Sequence, residues 1–200
     1  MTPRAPYRWD DEAAIRAFVG GIGFGLLCAT DGDRVHAVHL PLVWLDETRI
    51  GLHIHRANPI ARHLDGREAL IVVTGPDAYV SPDWYGEPDR VPTWNYVAAE
   101  LRGPMRALDA AETAAHLDAL SHEQERRLAP KPAWTRGKMT DGLFDRMLAG
   151  LIGFAMRVDA MRGTAKLGQD KSPAARAGVA DALDALGKGD MAGLMRAGRP

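Results

Sequence analysis

The spacing of hydrophobic and polar positions changes several times along this chain. Ala13 to Val19 follows three acidic residues and precedes a glycine pair, which predicts a short helix. Phe24 to Thr30 and Arg34 to Leu45 are predicted as strands, joined in a hairpin at Asp31-Gly32-Asp33. Arg49 to His55 alternates with period two, so a further strand with one apolar face is expected there.

The middle of the chain predicts longer strands and then a helix. Ala69 to Thr74 is a continuous apolar run that suits a buried strand, and Thr93 to Leu108 alternates again. Gly103-Pro104 marks a bulge or bend within that second strand. Asp109 and Glu112 have the spacing of a capping box, which predicts a helix from Ala110 to about Leu128.

The last third of the chain predicts three helices around one more strand. Leu143 to Leu148 is predicted to be helical, and Phe154, Met156 and Val158 alternate as a strand. Two closing helices are predicted at Pro173 to Leu186 and Met191 to Ala197.

These elements predict a mainly β fold with α additions, of the α+β class. Six or seven short strands around a helical insert favour a curved antiparallel sheet or barrel over alternating βαβ units. A chain of 200 residues fits one domain. We therefore predict a single domain over residues 1–200, with a helical insert at about 110–150 and closing helices at about 173–197.

Composition excludes several classes of function. The formal net charge of -1 excludes a chain-wide positive field for nucleic acid, so any DNA contact has to be local. No window approaches the ~18 apolar residues of a membrane span, and the N-terminus lacks a secretory signal pattern. We therefore expect a cytoplasmic protein without membrane association. The single Cys28 excludes an internal disulfide and a cysteine metal cage.

The segment from Gly75 to Tyr96 is rich in both aromatic residues and proline. Its four prolines fix the backbone φ angle and remove hydrogen-bond donors. Its aromatic side chains supply flat apolar faces with polar tips; they are Tyr79, Trp84, Tyr85, Trp94 and Tyr96. We predict an ordered loop that forms a rigid wall for a planar ligand or a partner.

This segment and two others carry a family resemblance. GPDAYVSPDWY at 75–85 and VPTWNY at 91–96 resemble the FMN-binding negative transcriptional regulators, the PaiB-like family. HIHRANP at 53–59 is similar to the family's G-H-x-x-x-A-N-P segment, and KLGQDKS at 166–172 is similar to its K-L-S-Q-N-K/R-S segment. The similarity covers most of the chain, from about residue 39 to about residue 178.

The resemblance implies a split β-barrel of the FMN-binding type and a homodimer with the flavin at the subunit interface. It implies regulation rather than clear catalysis as the function. An FMN-dependent oxidoreductase of the pyridoxamine-phosphate-oxidase type is the alternative, because the same site serves both uses. A flavin-free interaction protein is the second alternative. Gly168 and Asp170 favour that alternative because they stand where the family usually has serine and asparagine.

The candidate cofactor residues come from the matching segments. An FMN site needs cations or hydroxyls for the phosphate, aromatic faces for the ring and directed donors for its polar edge. The candidates are His55, Arg56, Asn58, Trp94, Asn95, Tyr96, Lys166 and Gln169. Pro59 can begin a helix whose N-terminal amides favour an anion. In the alternative interpretation, Arg56 and Asn58 only cap that helix and the aromatic residues only fill a core.

The histidines do not predict a metal site. His36 and His39 are three residues apart, which places them on opposite faces of a strand, and no nearby carboxylate or thiolate completes a ligand set. Arg126 stands where a helical zinc motif that begins at His122-Glu123 needs its second histidine.

Two local excesses of basic residues are the candidate DNA contacts. Each combines five cations with two carboxylates. The first is Arg126, Arg127, Lys131, Arg136 and Lys138 against Glu123 and Glu125; the second is Arg157, Arg162, Lys166, Lys171 and Arg176 against Asp159 and Asp170. The common interpretation of such clusters is a solvated face, and phosphate binding is the alternative.

Overall fold

The computed structural model describes residues 5–200. The chain forms two compact units. Unit 1 consists of the residues up to Val19 together with Val73–Glu100 and Arg162–Pro200, and unit 2 consists of Gly20–Val72 and Leu101–Met161. The single domain predicted over residues 1–200 stays a prediction.

Nine strands and five α-helices lie within the described part of the chain. The strands are β1 (Arg8–Trp9), β2 (Phe24–Thr30), β3 (Val35–Pro41), β4 (Val43–Trp44), β5 (Arg49–His55), β6 (Glu68–Val80), β7 (Thr93–Ala107), β8 (Leu151–Arg157) and β9 (Ala160–Lys166). The helices are α1 (Glu12–Ile22), α2 (Ala110–Arg126), α3 (Leu143–Leu148), α4 (Pro173–Ala185) and α5 (Gly189–Ala197). Short 3-10 helices occupy Ala5–Tyr7, Pro59–His63, Pro82–Tyr85 and Arg136–Lys138.

The strand order of the sheet is β3-β2-β6-β7-β8-β5-β4, and unit 2 contains residues 68–72 of β6 and 101–107 of β7. The pairs are antiparallel, with Leu27 opposite Ile71 and Leu52 opposite Phe154. All four of these side chains are apolar and buried. Alternation along each strand therefore builds one apolar core, as the period-two pattern predicts.

Unit 1 is built on the pairing of β1 with β9, which also pairs with β7. Trp9 lies opposite Gly163, and a Cβ at Gly163 would lie 2.7 Å from the indole Cε3 atom. Trp9 also contacts Phe18 edge to face, with 5.5 Å between ring centroids. Glycine at 163 thus leaves room for the indole of Trp9 to pack against β9.

The predicted capping box at the start of α2 is confirmed. Asp109 Oδ1 accepts from the Glu112 amide at 2.8 Å, and Glu112 Oε2 accepts from the Asp109 amide at 3.0 Å. Hydrogen bonds from Arg106 and from the Asp109 amide lower the pKa of Glu112 to about 2.

Two predictions about the strands need correction. The strand predicted from Arg34 to Leu45 breaks at Leu42, whose amide donates to the Gly23 carbonyl at 2.9 Å. Residues 75–80 continue β6 and are not loop, because Ala78 and Val80 alternate into the core. The predicted loop therefore begins at Ser81. The strands β1 and β9 were not predicted.

Gly103, where a bulge or bend is predicted, lies close to the end of β8. A Cβ at Gly103 would lie 1.8 Å from the Arg157 carbonyl oxygen, and the Asp159 amide donates to the Arg102 carbonyl at 2.9 Å. Glycine is needed here for space. Among residues 5–200, no helix combines the length and apolarity needed to span a bilayer.

Candidate functional site

A cavity of about 460 Å³ opens in unit 1. Its wall is formed by Tyr7, by residues from Tyr85 to Tyr96, and by residues from Thr164 to Lys171. This volume lies within the range of roughly 300–1,000 Å³ that is usual for small-ligand sites.

Tyrosines provide the flat faces of the cavity. Tyr85 is buried and follows Ser81, whose hydroxyl caps the 3-10 helix that contains Tyr85. Burial and the nearby charge of Asp170 raise the pKa of Tyr85, so its hydroxyl stays protonated as a donor. Tyr7 and Tyr96 face the same cavity.

Three cations and two carboxylates line the same wall. Lys166 Nζ donates to Thr93 Oγ1 and lies 5.7 Å from the ring centroid of Tyr7. Lys171 Nζ pairs with Asp170 Oδ2 at 2.6 Å and lies 5.9 Å from the ring centroid of Tyr85. The lining therefore carries a small excess of positive charge, which suits an anion.

Asn95 is the buried polar group of the cavity, with 1% of its surface exposed. Its Nδ2 donates to Met195 Sδ at 3.4 Å. A thioether is a weak acceptor, so the amide retains hydrogen-bonding capacity for a ligand. The neighbouring Trp94 points outward with 55% exposed and contacts Tyr79 edge to face.

The KLGQDKS segment folds back on itself. Gln169 Oε1 accepts from the Leu167 amide at 2.9 Å and Nε2 donates to the Ala165 carbonyl at 2.5 Å. Gly168 has a φ of 77°, in the left-handed region. Burial opposes ionisation of Asp170, but its hydrogen bond and ion pair with Lys171 and a hydrogen bond from Tyr7 hold its pKa below the usual value.

Gln169 is thus committed to the backbone of its own turn and does not line the cavity. Of the eight predicted residues, the structure brings Asn95, Tyr96 and Lys166 together around one cavity. Tyr7 and Arg90 were missed, because nothing in the local sequence places a residue at 7 beside one at 166. Tyr85 was predicted only as part of the aromatic wall.

The remaining predicted residues, His55, Arg56 and Asn58, belong to unit 2. Asn58 Oδ1 accepts from the Ile60 amide at 3.2 Å, so it caps Pro59–His63. His55 Nδ1 accepts from the Ala57 amide at 3.1 Å. This capping is the role given above as the alternative for Asn58.

Arg56 lies at a second cavity of about 610 Å³ within unit 2. Its Nε and Nη2 atoms each donate at 3.2 Å, to the carbonyls of Ala149 and Leu151. A guanidinium has five N–H donors, so Arg56 has further donors for an anion.

A buried histidine pair in unit 2 was missed by the sequence reasoning. His53 Nδ1 and His116 Nε2 lie 3.1 Å apart, and His116 is 1% exposed. Gly51 makes the space, since a Cβ there would lie 2.6 Å from His116 Nδ1. Burial lowers the pKa of both rings, and burial together with the charge of His53 lowers that of His116 to about 4.

The first basic cluster is largely occupied by ion pairs. Glu123 Oε1 accepts from Arg126 and from Arg127, each at 2.8 Å, and Lys131 pairs with Glu125. Arg127 also donates at 2.5 Å to the carbonyls of Gly20 and Gly21, at the C-terminus of α1. Arg127 is therefore a helix-capping residue.

Comparison with known proteins places these features in a family context. Residues 1–160 match a family model described as "Putative FMN-binding domain". The protease synthase and sporulation protein PAI 2 of Bacillus subtilis (strain 168) is 31% identical over 159 residues, which cover 78% of this chain and 75% of the relative.

Solved structures share the fold at low identity. The FAD and heme binding protein from Mycobacterium smegmatis superimposes with a TM-score of 0.59 and 18% identity, over 81% of this chain and 74% of its own. The flavocytochrome Anf3 from Azotobacter vinelandii superimposes with a TM-score of 0.56 and 14% identity, over 81% of this chain and 70% of its own. The predicted split-barrel fold is confirmed.

Proposed function

This chain belongs to the family of FMN-binding domains, and we propose that the cavity of unit 1 holds its FMN. Family membership makes FMN the cofactor. One observation supports the placement: a single cavity combines aromatic faces, a buried amide and an excess of cations. These are the three groups that the phosphate, the ring and its polar edge require.

The side chains present fit the cofactor. Lys166 and Lys171, with the hydroxyl of Thr93, would hold the phosphate through charge-assisted hydrogen bonds. The ring would lie against tyrosine faces, and Asn95 would orient its polar edge. When bound, FMN supplies a ring that accepts and releases electrons. The sequence resemblance also proposes His55, Arg56 and Asn58 as cofactor contacts, but they belong to unit 2 and are not among the residues that line this cavity.

We propose that the bound flavin serves regulation. The relative PAI 2 carries protease synthesis and sporulation in its name, which supports a role in control of expression. A homodimer is part of this proposal. The exposed Trp94 and Tyr79, which contact each other edge to face, form an aromatic surface that a second copy would cover.

Direct DNA contact is expected to be weak and local. Most cations of the first basic cluster already form an ion pair with a nearby carboxylate, so fewer of them are available to phosphates. A regulatory role would therefore depend more on a protein partner than on a broad DNA interface.

An FMN-dependent oxidoreductase is the second candidate. The fold shared with a flavocytochrome and with an FAD and heme binding protein favours it. The two candidates differ in turnover: an oxidoreductase would oxidise a nicotinamide or another small donor repeatedly, whereas a regulator would bind FMN without such turnover.

The test is an absorbance spectrum of freshly purified protein, followed by titration with FMN. We expect saturation at about one FMN per subunit and weaker binding of riboflavin, which lacks the phosphate. Steady oxidation of NADH or NADPH by the loaded protein would favour the oxidoreductase. A titration without binding would leave the flavin-free interaction protein as the interpretation.

A further inference from the structure

Residues 86–92, here called the rim loop, border the cavity of unit 1. Asp89, Arg90 and Val91 line the cavity, and Val91 is 73% exposed at its outer edge. The rim loop connects the 3-10 helix Pro82–Tyr85 to the start of β7. The rim loop therefore forms one part of the cavity wall.

One carboxylate fastens the rim loop to α4. Glu87 Oε1 accepts from Ser172 Oγ at 2.7 Å, and its Oε2 accepts from Arg90 Nε at 3.0 Å and from Arg90 Nη2. Ser172 is itself the N-cap of α4, where its hydroxyl accepts from the Ala175 amide at 3.1 Å. Glu87 thus joins the beginning of the loop to the N-cap of a packed helix.

The backbone of the loop is held in an unfavourable conformation. Asp89 has a φ of 55°, in the left-handed region that residues other than glycine seldom occupy. Such a conformation persists when the neighbouring contacts determine it. Glu87 and Arg90, which pair with each other, stand two residues before and one residue after Asp89.

The charges support a fixed tether at neutral pH. Hydrogen bonds from Ser172 and then from Arg90 lower the pKa of Glu87, so the carboxylate is ionised. The same contacts hold the Arg90 guanidinium at Glu87, on the loop side of the cavity.

We propose that Glu87 is a positioning residue that holds the rim loop over the cavity and so sets how fast the cofactor enters and leaves. The proposal rests on the proposed function, because it takes FMN as the ligand of this cavity. A tether of this kind alters both rates together. It alters the equilibrium affinity much less, because it does not itself contact the cofactor.

The test compares Glu87→Gln with Asp181→Asn. The control removes a carboxylate from another exposed ion pair of unit 1, that of Asp181 with Arg196 at 2.8 Å, away from the cavity. FMN association and dissociation are followed by stopped-flow flavin fluorescence. In Glu87→Gln we expect both rate constants to rise by about tenfold, the size of one lost hydrogen bond to a charged group. The Kd should change less than about threefold, and the control should keep both rates.

A second readout needs no cofactor. Trypsin cleaves after arginine, so the rate of cleavage between Arg90 and Val91 reports how often the rim loop opens. We expect faster cleavage at this bond in Glu87→Gln than in the parent or the control, with similar melting temperatures for all three.

The outcomes separate the two proposals. If no variant binds FMN, the proposed function fails, and the cleavage rates still decide whether Glu87 holds the loop. Unchanged cofactor rates and unchanged cleavage would overturn the role of Glu87. A weaker affinity with unchanged cleavage would make Glu87 a direct cofactor contact and would also overturn the proposal.

Discussion

The amide of Asn95 in β7 donates a hydrogen bond to the sulfur of Met195 in α5 at 3.4 Å. Residue 195 lies beyond residues 1–160, which match the family model. A buried residue of the cavity wall is therefore supported by a helix outside the matched region. Helix α5 therefore helps to hold Asn95 in the cavity wall.

This contact predicts an effect of Met195→Leu on cofactor binding. Leucine keeps nearly the same volume, so the free energy of unfolding should change by less than about 1.5 kcal/mol. The acceptor is lost, and calorimetry should show FMN binding about threefold to tenfold weaker, as expected for about one hydrogen bond. Met191→Leu, a buried change on the same helix, is the control. Equal affinities for the two variants would contradict a supporting role for Met195.

Replacing Lys166 and Arg56 separately by glutamine locates the phosphate. Lys166→Gln is expected to weaken FMN binding by about tenfold through a lost charge-assisted hydrogen bond, while riboflavin binding stays nearly constant. Arg56→Gln should have the same effect only if the contact that the sequence resemblance implies is made. Fluorescence titrations with both ligands measure this difference. If only Lys166→Gln has an effect, then Arg56, Asn58 and His55 are not part of the site.

Restoring the family residues at positions 168 and 170 should affect two different quantities, the stability of the fold and the affinity for FMN. At Gly168 a side chain has room, with 3.6 Å from a Cβ to Met195 Cε, but the φ of 77° disfavours it. Gly168→Ser should therefore lower the free energy of unfolding by about 1 kcal/mol. Asp170→Asn should free Lys171 and tighten FMN binding by about tenfold, or ~1.4 kcal/mol. Denaturant unfolding and calorimetry measure the two effects, and tighter binding by Gly168→Ser alone would contradict this assignment.

The His53–His116 pair predicts a loss of stability in acid. The pKa of His116 is about 4 in the folded chain against 6.5 for an ordinary histidine. The unfolded chain therefore binds more protons between these pH values, and stability falls as the pH falls from 6.5 to 4. The loss is at most roughly 3 kcal/mol, with none of it above pH 6.5.

Urea unfolding of His116→Gln at several pH values checks this prediction. The variant should lose less stability than the parent across that interval. His122→Gln, an exposed change on the same helix, should behave like the parent. An unchanged pH dependence in His116→Gln would exclude the pair as the cause.

Substitutions at Arg126 and at Arg127 are expected to test different properties, DNA binding and stability respectively. Arg127→Ala loses two hydrogen bonds to the C-terminus of α1 and should cost about 1–3 kcal/mol, whereas Arg126→Ala should cost less than about 1 kcal/mol. Arg126→Glu is thus the suitable test of DNA binding, measured by anisotropy over a range of salt. We expect a shallow salt dependence that reflects few phosphates. A steep slope would contradict the ion-paired state of this cluster.

Strong alternation made much of the fold predictable. The bounds of β2 and β5 coincide with those predicted. Apolar and polar residues alternate through β5, whereas β2 is an apolar run that ends just before the turn at Asp31-Gly32-Asp33. In β9 the buried positions are Gly163 and Ala165, whose small side chains carry little hydrophobic signal. β1 has two residues, too few for any period to be recognised.

The site was predictable only where its residues are contiguous. The VPTWNY and KLGQDKS segments supplied Asn95, Tyr96 and Lys166, which line the cavity. Tyr7 reaches the same cavity through the β1–β9 pairing, a long-range contact that no local pattern encodes. Side-chain direction was equally hidden, as the backbone-bound amide of Gln169 illustrates.

The close approach of Gly103 to the Arg157 carbonyl limits how this chain can be recombined with its relatives. A chimaera that takes β7 from one parent and the end of β8 from another can combine a residue other than glycine at 103 with this carbonyl, and the new Cβ would then lie 1.8 Å from the oxygen. Crossover points for gene shuffling should therefore keep residues 101–159 in one block, so that the strand and the turn it touches are inherited together.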